Sequence, residues 1–425
     1  MSAKNDRDVL RKLATQVMEI ANKPKQKERR ELWRKLNSLK MVRPMVNVNG
    51  FMWWEEVYPS EETLECQHPA CREAEIYFRQ CIFHDWIGDD TVIEPWVVLR
   101  SVYGAPYKNT PEMGDLYWCS NTWGVEFKRK PSPEKRGAWV FDPVIVELDD
   151  FKKMTKPVHI IDEEKTAEHF NAVNDLIGDI MPVIMDRGPM IRTYGGSILH
   201  DLCLLRGLEQ VYIDMIENPE WLHEVLSFMT ESVRDLHAQA EAAGDLRLIN
   251  QFNQSMPYCE ELEDPSPDTK PVKRKELWHF FEGQEFTCVS PEMTDEFAIR
   301  YHKILAEEYA LCAYGCCEDL TNKIPYLKKI KNLRTVAVVP WADIEKCAEQ
   351  IQGDYVFSWR PDPSSTLCNG FDADFLRKTL IDGLEKSRGC NVEINLKDVH
   401  TIRKDINAVK EWTRVAMEVV ENFYV

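Results

Sequence analysis

The sequence predicts a single (β/α)8 barrel behind an N-terminal helical extension, and three observations carry that prediction. Five consecutive strand–helix units fill the stretch from Phe286 to Phe423, a pattern that implies a parallel sheet with right-handed crossovers. Three more strand-like runs, near residues 43, 92 and 181, bring the strand count to eight. A chain of 425 residues that is 44% hydrophobic can bury one large core.

Taken in order, residues 1–40 read as two amphipathic helices broken near Pro24, expected to cap the barrel floor or to meet a second copy in a homodimer. Residues 1–42 form the extension and 43–425 the barrel. RPMVNVN (43–49) is the first strand, and GFMWWEE (50–56) is the loop after it. A helix through Pro69–Ile82 leads to TVIEPWVVL (91–99), the second strand-like run. WCSNTWGVEFKRK (118–130) alternates around turn residues and reads as a hairpin-like excursion. A helix over Glu163–Ile177 feeds the strand MPVIM (181–185), and residues 197–243 are mostly helical. Within them Asn218 is the N-cap and Pro219 the first residue of the last helix. Residues 250–275, rich in Pro, acid and then base, read as a long surface insertion. The five later strands are placed at Phe286–Ser290, Leu311–Cys317, Thr335–Val339, Tyr355–Trp359 and Asn391–Leu396.

A formal charge of −18 argues against a nucleic-acid binder, which would carry a basic patch. Thirteen cysteines without a repeating framework or a secretory signal read as reduced thiols, so a cytoplasmic protein is expected. No apolar run reaches about 18 residues, so no membrane span is expected. GxGxxG followed by an acid, P-loop, HExxH and GxSxG motifs are all missing from the sequence, which leaves nucleotide, zincin and serine-hydrolase readings without support.

In a barrel of this kind chemistry sits at the carboxyl ends of the strands. The most informative tip is LCAYGCCE (311–318), an apolar run ending in two thiols and a carboxylate. Strict alternation would place Tyr314, Cys316 and Glu318 on one face and Cys317 on the other. Thiolate, carboxylate and imidazole are zinc ligands, so Cys316, Glu318 and His400 are candidates for a catalytic zinc site with an open position. On the last strand Glu393, Asn395 and Lys397 share a face, and a buried Glu and Lys need each other or a ligand. His200 and Cys203, three apart on a helix, are a weaker metal pair. Trp53, Trp54, Arg187, Trp359 and Arg360 also follow predicted strands.

Several segments resemble the uroporphyrinogen decarboxylase superfamily. LLRGLEQVYIDMIENPEWLHEVLSFMTE is similar to its helical signature, while QEFTCVSPEMTDEFAIRYHKIL, AYGCCEDL, VAVVPWADIEKCAE and VEINLKDVHT are similar to a branch found in anaerobes. The resemblance covers most of the chain from about residue 180 and implies the same barrel fold. The decarboxylases carry an Arg-rich segment after the first strand, where this chain reads NVNGFMWWEE without arginine. The coenzyme M methyltransferases carry HxC at the strand matching Leu311–Cys317 and another Cys on the last strand. Here Cys316 matches, Tyr314 replaces the His, and Glu393 and His400 stand where the final Cys would be.

The resemblance therefore implies a zinc-dependent, corrinoid-linked methyltransferase of the O-demethylase type. It would move a methyl group from an aryl methyl ether to the cob(I)alamin of a separate corrinoid protein. Cys316, Glu318, Glu393 and His400 would hold the zinc, and Tyr314 would donate to the leaving oxygen. Trp53, Trp54 and Trp359 would enclose the arene, with Arg187 binding substrate and Arg360 assisting catalysis. The chain lacks the DxHxxG corrinoid motif, so cobalamin would arrive on its partner and dock over the rim against residues 250–275. Two alternatives remain, a methylcobamide-to-thiol methyltransferase and a decarboxylase-like lyase that clamps a small acid with Arg187 and Arg360.

Overall fold

Eight parallel strands, β1 Met45–Val48, β2 Val97–Arg100, β3 Val183–Asp186, β4 Trp278–Phe281, β5 Leu311–Tyr314, β6 Leu333–Val338, β7 Val356–Trp359 and β8 Asn391–Leu396, organise the computed structural model. It describes residues 2–50, 53–58, 60–110, 118–130, 140–192, 198–249, 255–268 and 270–423. Six strands form one sheet in the order β1-β8-β7-β6-β5-β4, and β2 pairs with β3. The first strand lies against the last, Met45 opposite Glu393, as a barrel requires. The order is that of an eight-stranded barrel opened between β1 and β2 and between β3 and β4. Among the described residues no ladder crosses either opening.

The sequence explains the first opening. Asp89 and Asp90 precede β2, and their carboxylates accept from the backbone N–H groups of Val48 (3.1 Å) and Val46 (2.9 Å). Those side chains occupy the β1 edge where a β2 ladder would run. Arg43 holds Asp90 with two bonds of 2.8 Å. The expected strand near residue 92 accordingly starts only at Val97.

Alternation divides each strand between two layers. On β8, Val392, Ile394 and Leu396 join the helix-facing core, whereas Asn391, Glu393 and Asn395 face inward. The inner face is polar, and its acid is well supplied with donors. Glu393 accepts from Ser255 (2.8 Å), Ser358 (3.0 Å) and Asn395 (3.3 Å). Around the strands pack the helices Pro69–Ile87, Glu163–Ile177, Ile198–Arg206, Leu208–Glu217, Pro219–Ala243, Ala373–Lys386 and Ile406–Asn422. Two short antiparallel pairs, Asn109–Thr110 with Trp118–Cys119 and Lys128–Lys130 with Val140–Asp142, carry the excursion read near residues 118–130.

Two expectations are corrected. The fourth strand is Trp278–Phe281, not Phe286–Ser290. Gln284–Phe286 is a single 3-10 turn, and Ser290 serves as an N-cap, its hydroxyl accepting from the Met293 amide at 3.2 Å. Residues 255–268 are no surface insertion, for Tyr258 and Cys259 are each 1% exposed. This segment lies on the barrel floor beneath the helix Pro24–Asn37, tied by Arg34–Asp264 (2.5 Å) and Lys35–Glu260 (2.7 Å). The helix in turn covers the start of β8, where Asn391 accepts from the Met41 amide at 3.1 Å. Much of the segment from Tyr258 to Asp264 is thus taken up by the floor, while residues 250–254 and 269 of the expected docking stretch lie outside the described residues.

Candidate active site

Four ionisable groups gather immediately beyond the strand ends: Glu282 after β4, Cys316 after β5, Arg360 after β7 and Lys397 after β8. Gly315 sets the geometry at β5. Its φ is +111°, and a Cβ there would lie 2.7 Å from that of Ala337, so only glycine makes this turn. Beyond it strict alternation ends, and both thiols fall on one side of the rim. Cys316 Sγ lies 3.0 Å from Lys397 Nζ and 3.5 Å from Cys317 Sγ. Cys317 in turn points to Asp398 Oδ2 at 3.4 Å.

The two thiols share one proton. The hydrogen bond from Cys317 is the main reason Cys316 falls to about 6, with Lys397 and Arg360 adding positive charge against the opposing effect of burial. Cys317 is pushed up for the complementary reason. Cys316 is a thiolate at neutral pH, paired with an ammonium.

Glu318 has a structural explanation. It is 1% exposed, and its oxygens accept from the amides of Gly283 and Cys316, both at 2.7 Å. The carboxylate clamps the β4 tip to the β5 tip and so fixes where Cys316 and Glu282 stand. Glu282, 5% exposed, accepts from the Gln284 amide at 2.9 Å. Burial, then the negative charges of Glu285 and Glu318, push its carboxyl well above the usual range. Glu282 therefore holds its proton more tightly than an ordinary carboxyl, and the charge of Cys316 adds to that effect. Glu285 accepts from His200 Nδ1 at 2.9 Å. Arg360, buried beneath, donates to the Gly315 carbonyl at 3.1 Å.

The residues expected from the sequence are dispersed. Tyr314 turns into the helix layer, its hydroxyl 3.1 Å from His302 Nδ1, and burial pushes its pKa well up. Trp359 also faces the helices: a Cβ on Gly383 would lie 2.1 Å from its ring. Trp53 and Trp54 pack at a tilt against each other, ring centroids 4.9 Å apart, and against Phe83 at 5.3 Å (tilted) and 5.0 Å (edge-on), forming core against the helix Pro69–Ile87. Arg187 is held by Glu163 and Asp245, each at 2.5 Å. His400 is exposed, in a loop where Asp398, Arg403 and Lys404 all have positive φ. Glu393 lies a layer below Lys397, engaged by two serines and an asparagine.

Cys316 suits zinc as a thiolate, but the rest of the expected ligand set does not converge on it. Both oxygens of Glu318 are filled by amides, Glu393 has three donors of its own, and His400 points outward. Among the described residues, no group of three or more His, Cys, Asp or Glu is placed to hold a metal ion. The residues do not fit a preformed zinc centre.

Sequence reasoning missed Glu282 and Glu285 because it placed the fourth strand eight residues late. The signal was available: WHFF followed by EGQE is an apolar run ending in acids, the same pattern that marked LCAYGCCE.

The fold belongs to the class of barrel-like α/β folds. No family model matches the chain, and neither does any curated protein. A solved structure of a methyltransferase from Methanosarcina mazei superposes with a TM-score of 0.54 at 13% identity, covering 93% of this chain and 98% of that one. At that identity the likeness is one of fold.

Proposed function

We propose that this protein is a methyltransferase that takes a methyl group from a methoxylated aromatic and passes it to the cobalt(I) corrinoid of a separate protein. The observation that carries the reading is the 3.0 Å pairing of Cys316 with Lys397 at the strand tips, with the buried acid Glu282 on the adjoining β4 tip that Glu318 clamps to that of β5. Phenolate is a poor leaving group, so a site that demethylates an aryl ether must supply positive charge or a proton to the ether oxygen. Glu282, raised by burial and neighbouring negative charge, would supply that proton. Lys397, oriented by Cys316, offers N–H donors to the same oxygen as it turns negative. As the carbon–oxygen bond breaks, its electron pair stays on oxygen, which takes the proton from Glu282.

The fold likeness to a methyltransferase agrees with this reading. No step here runs through zinc, because the expected ligands do not converge. The lyase alternative is weakened, since Arg187, one of its two carboxylate clamps, is already satisfied by Glu163 and Asp245.

The direct test is anaerobic. Reduced cob(I)alamin is mixed with the protein and a panel of methoxyarenes, and the absorbance of methyl-cob(III)alamin is followed. Methylation with at least one arene is the expected result. No methylation across the panel, with the reverse transfer from methylcobalamin to a small thiol proceeding, would replace the reading with the thiol-acceptor one.

A further inference from the structure

The two carboxylate oxygens of Glu285 are treated very differently. Oε1 accepts from His200 at 2.9 Å, while Oε2 is buried without a hydrogen-bond partner. Burying an unpaired carboxylate oxygen is unfavourable. His200, at the start of the helix Ile198–Arg206, is 47% exposed at its side chain, whereas Glu285 is 10% exposed. One end of the pair therefore meets solvent. The other belongs to the turn that follows β4, three residues beyond Glu282, whose carboxyl responds to the charges of Glu285, Glu318 and Cys316.

Of the other groups nearby, Cys203, Tyr212 and Tyr314 hold their protons more tightly than usual, chiefly through burial. Asp201, also raised by burial, is engaged by the Trp123 indole at 2.7 Å. His200 differs. Partial burial lowers its pKa, but the Glu285 bond and the charges of Asp201 and Cys316 raise it above 6.5 overall.

We infer that His200 and Glu285 form a proton path that reloads Glu282 from solvent after each turnover. The inference rests on the methyl-transfer reading. When the ether bond breaks, the methyl goes to the cobalt(I) acceptor and the electron pair stays on oxygen, which takes the proton of Glu282. His200 protonates Glu285, Glu285 returns that proton to Glu282, and His200 is recharged from water. One solvent proton is consumed for each phenol released.

The test compares wild type, His200→Ala and Glu285→Gln on methoxyarenes whose phenols span a range of acidity, with and without added imidazole. His200→Ala should slow turnover by about tenfold or more, most for the least acidic phenols, and imidazole should restore it. Glu285→Gln should show the same dependence on the phenol without rescue. A loss equal for all phenols and untouched by imidazole would mean a structural role and would overturn the path. If wild type demethylates nothing, the methyl-transfer reading itself has failed. NMR titration of the His200 ring then decides whether the pair exists: a midpoint above 6.5 that drops in Glu285→Gln supports it, and an ordinary midpoint in both proteins refutes it.

Discussion

Lys397→Met removes the cation beside Cys316 while keeping a side chain of similar length. The fall of the Cys316 thiol from an ordinary 9.0 to about 6 corresponds to roughly 4 kcal/mol favouring the thiolate. The bond from Cys317 is the largest cause and Lys397 the leading positive charge. A single cation at contact distance moves a neighbouring pKa by about 1–3 pH units, so Lys397→Met should bring Cys316 to roughly 7–9. At pH 6.5 the thiolate fraction, and with it alkylation by iodoacetamide, should drop about threefold or more. The rate is read site by site from peptide fragmentation, which separates Cys316 from Cys317. Below pH 6 both proteins should slow together as the thiolate takes its proton. Cys317→Ala, tested in parallel, should raise the midpoint at least as far. A midpoint that stays at about 6 in Lys397→Met would refute the ammonium–thiolate pair and, with it, Lys397 as the charge offered to the leaving oxygen.

Two predictions concern stability. The folded state holds a proton on Glu282 that the unfolded chain releases near 4.5, so this group's contribution falls as pH rises from there toward its raised folded value. Glu282→Gln should therefore gain on wild type in urea melts between pH 5 and pH 8, and parallel pH profiles would show that Glu282 ionises normally. Gly383→Ala would drive a methyl group into the Trp359 ring, where the gap is 2.1 Å, and should lower stability by about 1–3 kcal/mol. Unchanged melting would mean that Trp359 is free to turn, reopening its candidacy as a substrate contact.

Much of the fold was legible because parallel strands buried on both faces announce themselves as short apolar runs. Asn391–Leu396 was read with its observed bounds, and the helix Glu163–Ile177 likewise. The site was less legible. FTCVS displaced WHFF as the fourth strand because its β-branched residues and the following Pro look like a strand feeding a helix, and the two acids of the true tip were lost with it. Alternation placed Cys316 and Glu318 together correctly as neighbours but could not foresee that Gly315 turns both thiols to one side. Trp359 could have been excluded: it shares parity with Phe357, whereas Ser358 and Arg360 share the inward parity of the polar face. Residues 255–268 misled through composition, since acid and proline suit a floor strap stapled by Arg34 and Lys35 as well as they suit a free loop.

The distribution of partners separates structural acids from chemical ones. Glu318 is buried, yet two amides bind it and the clamp between strand tips accounts for its place. Glu393 is buried, yet two serines and an asparagine surround it. Asp89 and Asp90 are buried, yet they close the β1 edge. Glu282 has one amide from its own turn, lies among like charges, and bridges no elements. A glutamine would make that bond without the electrostatic penalty. An acid placed where fold stability argues against it is what a site needing a proton donor requires. For that reason Glu282, rather than the more conspicuous Cys316 and Glu318, is the residue on which the proposed chemistry turns.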